Sequence, residues 1–382
     1  MSISESEALH RRAIIVDGHC DTPYRLLRHN VHLDEHDTEA QADLRTLQES
    51  GITASFFAAY VPPFYAGRGA AAFARQLIDL IERETERRPD AVTLCTDSAG
   101  VRAAKRDGKL ALMIGVEGGH AIEDSLDILR ELYARGARYM TLTHVNTNNW
   151  CDSSGDQPRH GGLTDFGREV VRTMNDLGMI VDVSHISDDA FRDVIATTRV
   201  PVVATHSSAR ALCRHPRNMT DDMLRELARN GGVCMINFFS AFISDQVAQV
   251  IMAAQKSKKK NGGDPTGGTE EMPDDRTDWD TYLAWFQSLG CPTATLDQVA
   301  DHIFHVANVA GIDHVGIGSD FDGVPSLPDG LTSASSLPML TARLLERGMP
   351  SADVEKVLGG NFMRVFEEVE RARQPENDDL TL

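Results

Sequence analysis

The chain lacks a close cysteine pair, a membrane-length hydrophobic run, a GxSxG motif and an excess of basic charge, and each absence removes a class of function. Its six cysteines stand at 20, 95, 151, 213, 234 and 291, with no CxxC among them. A chain of 382 residues needs no disulfide framework, so reduced and mostly buried thiols are expected. The longest apolar runs, such as Cys234 to Phe239, are too short to span a bilayer. The leading MSISESEALHRR is polar, with no apolar segment that would serve as a signal peptide, and the closing QPENDDLTL has no anchor signal. A cytoplasmic protein without a membrane partner is therefore expected. Lys and Arg number 38 against 57 Asp and Glu, a formal net charge of −19, which argues against a nucleic-acid partner because a phosphate-binding surface needs clustered cations. Without a GxSxG elbow there is no sign of a serine hydrolase on an α/β sheet.

What is present is an alternation. Apolar, β-branched segments predict strands at Ala13 to Val16, Ile52 to Tyr60, Leu110 to Val116, Tyr139 to Val145, Met179 to Ser184, Val200 to Thr205, Gly232 to Phe238 and His314 to Ser319. Helical spacing separates them, for example at 71–87, Ser125 to Arg135, Thr164 to Leu177 and from Thr220 onward. Eight β segments divided by helices fit a closed (β/α)8 barrel, an α/β TIM barrel, better than an open sheet. The expected organisation is one barrel domain over 1–372, with a helical and loop insertion at about 240–312 between the seventh and eighth strands, and a polar tail at 373–382. Within the insertion, Lys256, Lys258, Lys259 and Lys260 read as a solvated helix end, and NGGDPTGG as a flexible loop. His29, His32 and His36 read as part of a solvated loop.

The polar residues fall in one kind of place. His19, Asp21, Glu117, His144, His185, His206 and Asp320 all lie at or just beyond the C-terminal ends of predicted strands, the face where barrel enzymes build their sites. Desolvating seven such groups on one rim is costly unless they share a purpose. An imidazole and a carboxylate side by side, as His19 and Asp21 would be on one side of a strand end, suit a divalent metal such as zinc. The set exceeds what one zinc needs. Two ions roughly 3.5 Å apart, sharing a carboxylate, would account for the surplus and would generate hydroxide near neutral pH.

The motifs GHCDTP at 18–23, GVEGGH at 115–120, LTHVNTN at 142–148, GLTDFGREVV at 162–171, VDVSH at 181–185, THSSAR at 205–210, RN at 217–218 and GIGSDFDGV at 316–324 resemble, in order, those of the membrane (renal) dipeptidase family, peptidase family M19, within the amidohydrolase superfamily. The resemblance implies a zinc-dependent barrel that cleaves dipeptides. By position it implies that His19 and Asp21 bind one zinc, His185 and His206 a second, and that Glu117 and a hydroxide bridge the two. It further implies that Asp320 moves the proton from the attacking water to the leaving amine, that His144 polarises the substrate carbonyl, and that Arg217 holds the free C-terminal carboxylate. A homodimer is also implied.

Several residues carry a second reading. Arg217 could pair with Asp221 or Asp222 instead; Asp322 could compete with Asp320 for the proton-transfer role; His120 reads as structural; Asp17 reads as a support for the His19 region. Tyr24 and Trp150 could line the pocket or simply pack. Two rival functions stand beside the dipeptidase: another dinuclear hydrolase acting on a lactone, cyclic amide or phosphoester, and a non-catalytic protein with a structural metal.

Overall fold

The computed structural model describes residues 5–260 and 275–374. The Gly-rich loop at 261–268, the side chains of Lys258, Lys259 and Lys260, and the tail from 375 lie outside the described residues. Among the described residues nine parallel strands form the sheet: β1 Val16–Cys20, β2 Ala54–Tyr60, β3 Val92–Leu94, β4 Leu110–Glu117, β5 Ala137–Thr141, β6 Ile180–Asp182, β7 Val203–Ser207, β8 Val233–Ile236 and β9 Val315–Ile317. β2 pairs with β4, and β9 pairs back onto β1, so eight strands close into the expected (β/α)8 barrel. β3, which the sequence pattern did not reveal, is the ninth. It pairs with Leu110–Leu112 of β4, and β5 takes over along the same strand at Ile114–Glu117. β3 thus fills the foot of a seam that β5 closes above.

Local chemistry sets the elements. β4 is LALMIGVE, buried at every position, the continuous apolar run of a parallel strand covered on both faces. Thr164, Ser187 and Thr220 each turn a strand-to-helix connection into a helix by accepting a hydrogen bond from the backbone N–H three residues on. The helix Thr22–His29 follows β1 at once, with Pro23 in its first turn. It replaces part of the polar loop expected there. His29 ends that helix, while His32 and His36 sit in the loop after it, paired with Glu84 and Asp43 at 2.8 and 2.7 Å. Helices Glu5–Arg12 and Ser98–Asp107 were likewise not foreseen. Between β8 and β9 the insertion is helical, as Asp245–Lys260, Asp275–Ser288 and Leu296–Ala310.

The barrel interior is apolar at its foot. Val16, Ala54, Phe56, Met113, Ile180, Val203 and Val233, all in the first halves of their strands, form one buried cluster with Phe362 and Phe366 of the closing helix Asn361–Arg371. A larger cluster packs the outer face of the sheet against the helices. No helix among the described residues is long and apolar enough to cross a membrane.

Candidate metal centre

Glu117 is the last residue of β4, nearly fully buried, and its two oxygens face different neighbours. Oε2 lies 3.5 Å from His19 Nε2, which itself lies 3.3 Å from Asp21 Oδ2. Oε1 lies 3.2 Å from His185 Nε2, 3.3 Å from His206 Nε2 and 3.9 Å from His144 Nε2. Asp320 joins His19 and Asp21 in a third compact group. All seven strand-end residues singled out in the sequence therefore meet at one mouth. They come from six different stretches of chain, with the ends of the first and last strands contributing His19, Asp21 and Asp320 across the closing seam.

Three groups hold the imidazoles in place. The hydroxyl of Tyr139 lies 2.7 Å from His19 Nδ1, leaving Nε2 to face the carboxylates. Tyr139 reaches this point because position 115 is glycine: a Cβ there would fall inside the tyrosine ring. Thr205 donates its hydroxyl to Asp182 at 2.7 Å and lies 2.8 Å from His206 Nδ1. With the Thr205 proton committed to Asp182, its lone pair takes the Nδ1 proton of His206 and leaves Nε2 bare. The Ser153 hydroxyl contacts the carbonyls of both His144 and His185, at 2.6 and 3.3 Å. None of Tyr139, Thr205 and Ser153 was singled out in the sequence, although Thr205 obeys the same strand-end rule as its neighbours.

His185 and Asp320 adopt left-handed φ of 70° and 64°, a region in which histidine and aspartate occur more often than most residues other than glycine. The side chain of Asp21 stands at the N-cap position of Thr22–His29 but makes no capping hydrogen bond, so it is left for the site. Gly323 presses its Cα against Asp21 and Asp320, where a Cβ would collide with both carboxylates.

Asp320 and Asp322 are separated by environment. Asp320 Oδ2 accepts a 2.6 Å hydrogen bond from Asn237 Nδ2. Asp322 turns away, accepting from the Thr22 hydroxyl at 2.6 Å and the Gln41 N–H at 2.8 Å, which ties the loop after β9 to the chain after β1. Asp17 accepts from both the N–H and the hydroxyl of Ser319 at 2.7 Å, clamping β1 to β9 beneath His19. Burial pushes its carboxyl up to about 6 against those hydrogen bonds.

Arg217 does not pair with its acidic neighbours in sequence. Asp221 pairs with His305 and Asp222 with Arg225. The Arg217 guanidinium is buried, donates to the His206 carbonyl at 3.0 Å, lies 5.2 Å from the Phe242 ring centroid, and has no partner at Nε. Burial pushes it down to about 10, opposed by the negative charges of Asp320, Glu117 and Asp182. Trp150 packs in the core beside Phe166, and His120 contacts the Pro62 carbonyl at 3.3 Å. Tyr24 stands edge-on to Tyr60, which stands edge-on to His144, so this line of rings walls one side of the mouth.

The charges in the mouth oppose one another. Burial would push the Glu117 carboxyl up, but His19, His144 and His185 outweigh it and hold it well below the usual carboxylate range. Burial, with Glu117 and Asp320, drives Asp21 up, while His19 resists. His144 is pushed down to about 4, by burial first and by the Arg217 charge. Several atoms facing the mouth have nothing to bond: His19 Nε2, His206 Nε2 and Asp21 Oδ1 are buried without a hydrogen-bond partner. Leaving such atoms unsatisfied costs about 1–3 kcal/mol each. Bare imidazole nitrogens converging with carboxylate oxygens are the donor set of a divalent cation, and the residues present fit one.

The sequence model of the family described as membrane dipeptidase (peptidase family M19) matches residues 3–379. Among solved structures, the probable dipeptidase PvdM from Pseudomonas aeruginosa is 27% identical over 96% of this chain and 98% of its own, with a TM-score of 0.81. A dipeptidase AC, a metallopeptidase of family M19, is 25% identical over 94% of this chain and 98% of its own, with a TM-score of 0.74. A metallopeptidase from Rhodobacter sphaeroides, solved with a phosphinate mimic of the dipeptide L-Ala-D-Ala, shares the fold at 24% identity over 94% of this chain and 99% of its own, with a TM-score of 0.74.

Proposed function

The chain belongs to the membrane dipeptidase family, peptidase family M19, whose members are dipeptidase-type, metal-dependent hydrolases, and from that premise we propose that it is a zinc dipeptidase cleaving the peptide bond of dipeptides with a free C-terminal carboxylate. The observation that carries this reading is the division of Glu117, with one oxygen toward His19 and the other toward His185 and His206. A shared carboxylate suits two ions: His19 and Asp21 would hold the first, His185 and His206 the second. Bound there, the ions would supply activation of water at neutral pH and polarisation of the scissile carbonyl.

The chain's own groups do the rest. Asp320 keeps one oxygen on Asn237 and has the other for a proton, so it takes the proton of the attacking water and delivers it to the leaving amine. His144, kept neutral by burial, donates one N–H to the carbonyl oxygen as charge builds on it. Arg217, buried and with Nε unclaimed, receives the substrate carboxylate; a charged hydrogen bond of this kind is worth about 1.5–3 kcal/mol. The homodimer and the single-domain organisation remain part of the proposal.

The test is a panel of dipeptides offered to the zinc-loaded protein with free and with amidated C-termini. Free dipeptides should be hydrolysed, and amidation should cost about 10- to 100-fold in kcat/KM. Equal turnover of both sets would overturn the Arg217 assignment. No turnover of any dipeptide would overturn the reading as a whole.

A further inference from the structure

The helix Thr22–His29 leaves the metal centre directly after Asp21, and Tyr24 and Arg28, four residues apart, share one of its faces. Arg28 is only 5% exposed. Its guanidinium lies 5.2 Å from the Tyr24 ring centroid and 5.1 Å from that of Trp279, which belongs to the inserted helix Asp275–Ser288. Two aromatic faces thus cradle a cation. Yet Nε and Nη1 are buried with no hydrogen-bond partner.

Among the described residues, the nearby charges do not meet that need. Asp322 is taken by Thr22 and Gln41 and lies 3.9 Å from Arg25, and Arg25 itself pairs with Asp37. Asp280 and Asp322 act on Arg28 only through space, and among the described residues no carboxylate forms an ion pair with it. Burying a guanidinium without a counter-charge costs several kcal/mol, which a ligand carboxylate would relieve.

Arg28 also joins two lines of aromatic rings that run toward the mouth. Through Tyr24 it adjoins Tyr60 and then His144, at centroid distances of 5.2 and 4.8 Å. Through Trp279 it adjoins Tyr282 at 5.8 Å, and Tyr282 feels the charge of Asp320. Six residues of helix separate Arg28 from Thr22, about 9 Å along the axis. A dipeptide backbone spans about 7 Å, so an acidic side chain on it covers that distance.

We propose that Arg28, cradled by Tyr24 and Trp279, is a subsite for a side-chain carboxylate, and that the preferred substrates are dipeptides containing aspartate or glutamate. This rests on the dipeptidase reading and adds to it a substrate class that neither the metal ligands nor Arg217 specify. The inserted helix, by supplying Trp279, becomes the element that sets specificity.

The experiment compares kcat/KM of the zinc-loaded protein for Ala-Glu against Ala-Gln and for Glu-Ala against Gln-Ala, with Ala-Ala alongside. Glutamine matches glutamate in shape and lacks only the charge. The wild-type protein should favour glutamate by about tenfold or more in at least one position. Arg28→Met should bring that ratio close to one, and Arg28→Lys should restore part of it. A wild-type ratio near one in both positions overturns the proposal, and this measurement stands even where the variants fail to fold. So does an Arg28→Met protein whose rates fall equally for glutamate and glutamine, because that is the result of a mere prop for the inserted helix. If no dipeptide, Ala-Ala included, is hydrolysed, the dipeptidase reading itself fails and the subsite falls with it.

Discussion

At their N-terminal ends the barrel strands present Val16, Phe56, Met113, Ile180, Val203 and Val233 to a sealed apolar interior capped by Phe362 and Phe366. At their C-terminal ends the barrel strands lead to His19, Glu117, His185, His206 and Asp320, with bare imidazole nitrogens at His19 and His206 and left-handed backbone at His185 and Asp320. The two ends of one barrel thus differ in kind. The foot satisfies its groups by packing and holds the fold together; the rim leaves groups wanting and holds the chemistry. Histidines show the same contrast. His302, away from the mouth, accepts from the Ala209 N–H and contacts the Ile243 carbonyl, both at 3.0 Å, so both its nitrogens are spent. His19 and His206 spend one nitrogen each and keep the other facing the site.

The sharpest way to break this contrast is at Glu117. Glu117→Gln should lower dipeptide turnover at least about a thousandfold and reduce bound metal measured by elemental analysis, while the urea midpoint of the metal-free protein does not fall. A large loss of stability in the metal-free variant would mean that the rim also carries the fold. The converse substitution is Phe366→Ala, which should cost about 3–5 kcal/mol in urea unfolding with kcat per folded molecule unchanged.

A third test uses pH. Burial pushes His302 down to about 4, so between its unfolded value near 6.5 and that value the unfolded chain binds a proton that the folded chain refuses. Stability from this group is complete above pH 6.5 and is lost as pH falls toward 4, a change of about 3 kcal/mol. His302→Gln should flatten the stability curve across that window; an unaltered slope would place the acid sensitivity elsewhere. The smallest effect is expected at Tyr139→Phe, which removes one hydroxyl from His19. Metal affinity in a competition titration with a chelator should weaken by about 10- to 100-fold, with thermal stability nearly intact.

How much of this was legible in the sequence depended on whether a residue's role lay in its own strand or in a distant one. The rule that strand ends carry the site found His19, Glu117 and His206, which lie on strands, and His144, His185 and Asp320 just beyond them. The same rule, pressed further, would have found Asn237 at the end of β8 and Thr205 on β7. Tyr139 was beyond it: the residue sits low on β5, and its value depends on the missing side chain of Gly115 on the neighbouring strand. The strand Val92–Leu94 escaped because three residues make too short a pattern. The helix Thr22–His29 escaped because its charged and aromatic residues read as a polar turn, although an Asp followed closely by Pro is itself a helix-start signal. Whether Arg217 pairs with its acidic neighbours, and what the carboxylates of Asp320 and Asp322 each bond, needed coordinates, because residues close in sequence differ in where their side chains are sent.

The clamp from Asp17 to Ser319 joins residues 302 positions apart. Synthesis from the ribosome releases His19 and Asp21 early and Asp320 only near the end. A nascent chain that stops short of β9 holds His19 and Asp21 on an open edge, with neither the closing strand nor Asp320 beside them. Closure of the barrel around the candidate metal centre is thereby tied to completion of the polypeptide, and a product truncated before β9 lacks the strand that brings Asp320 to the mouth.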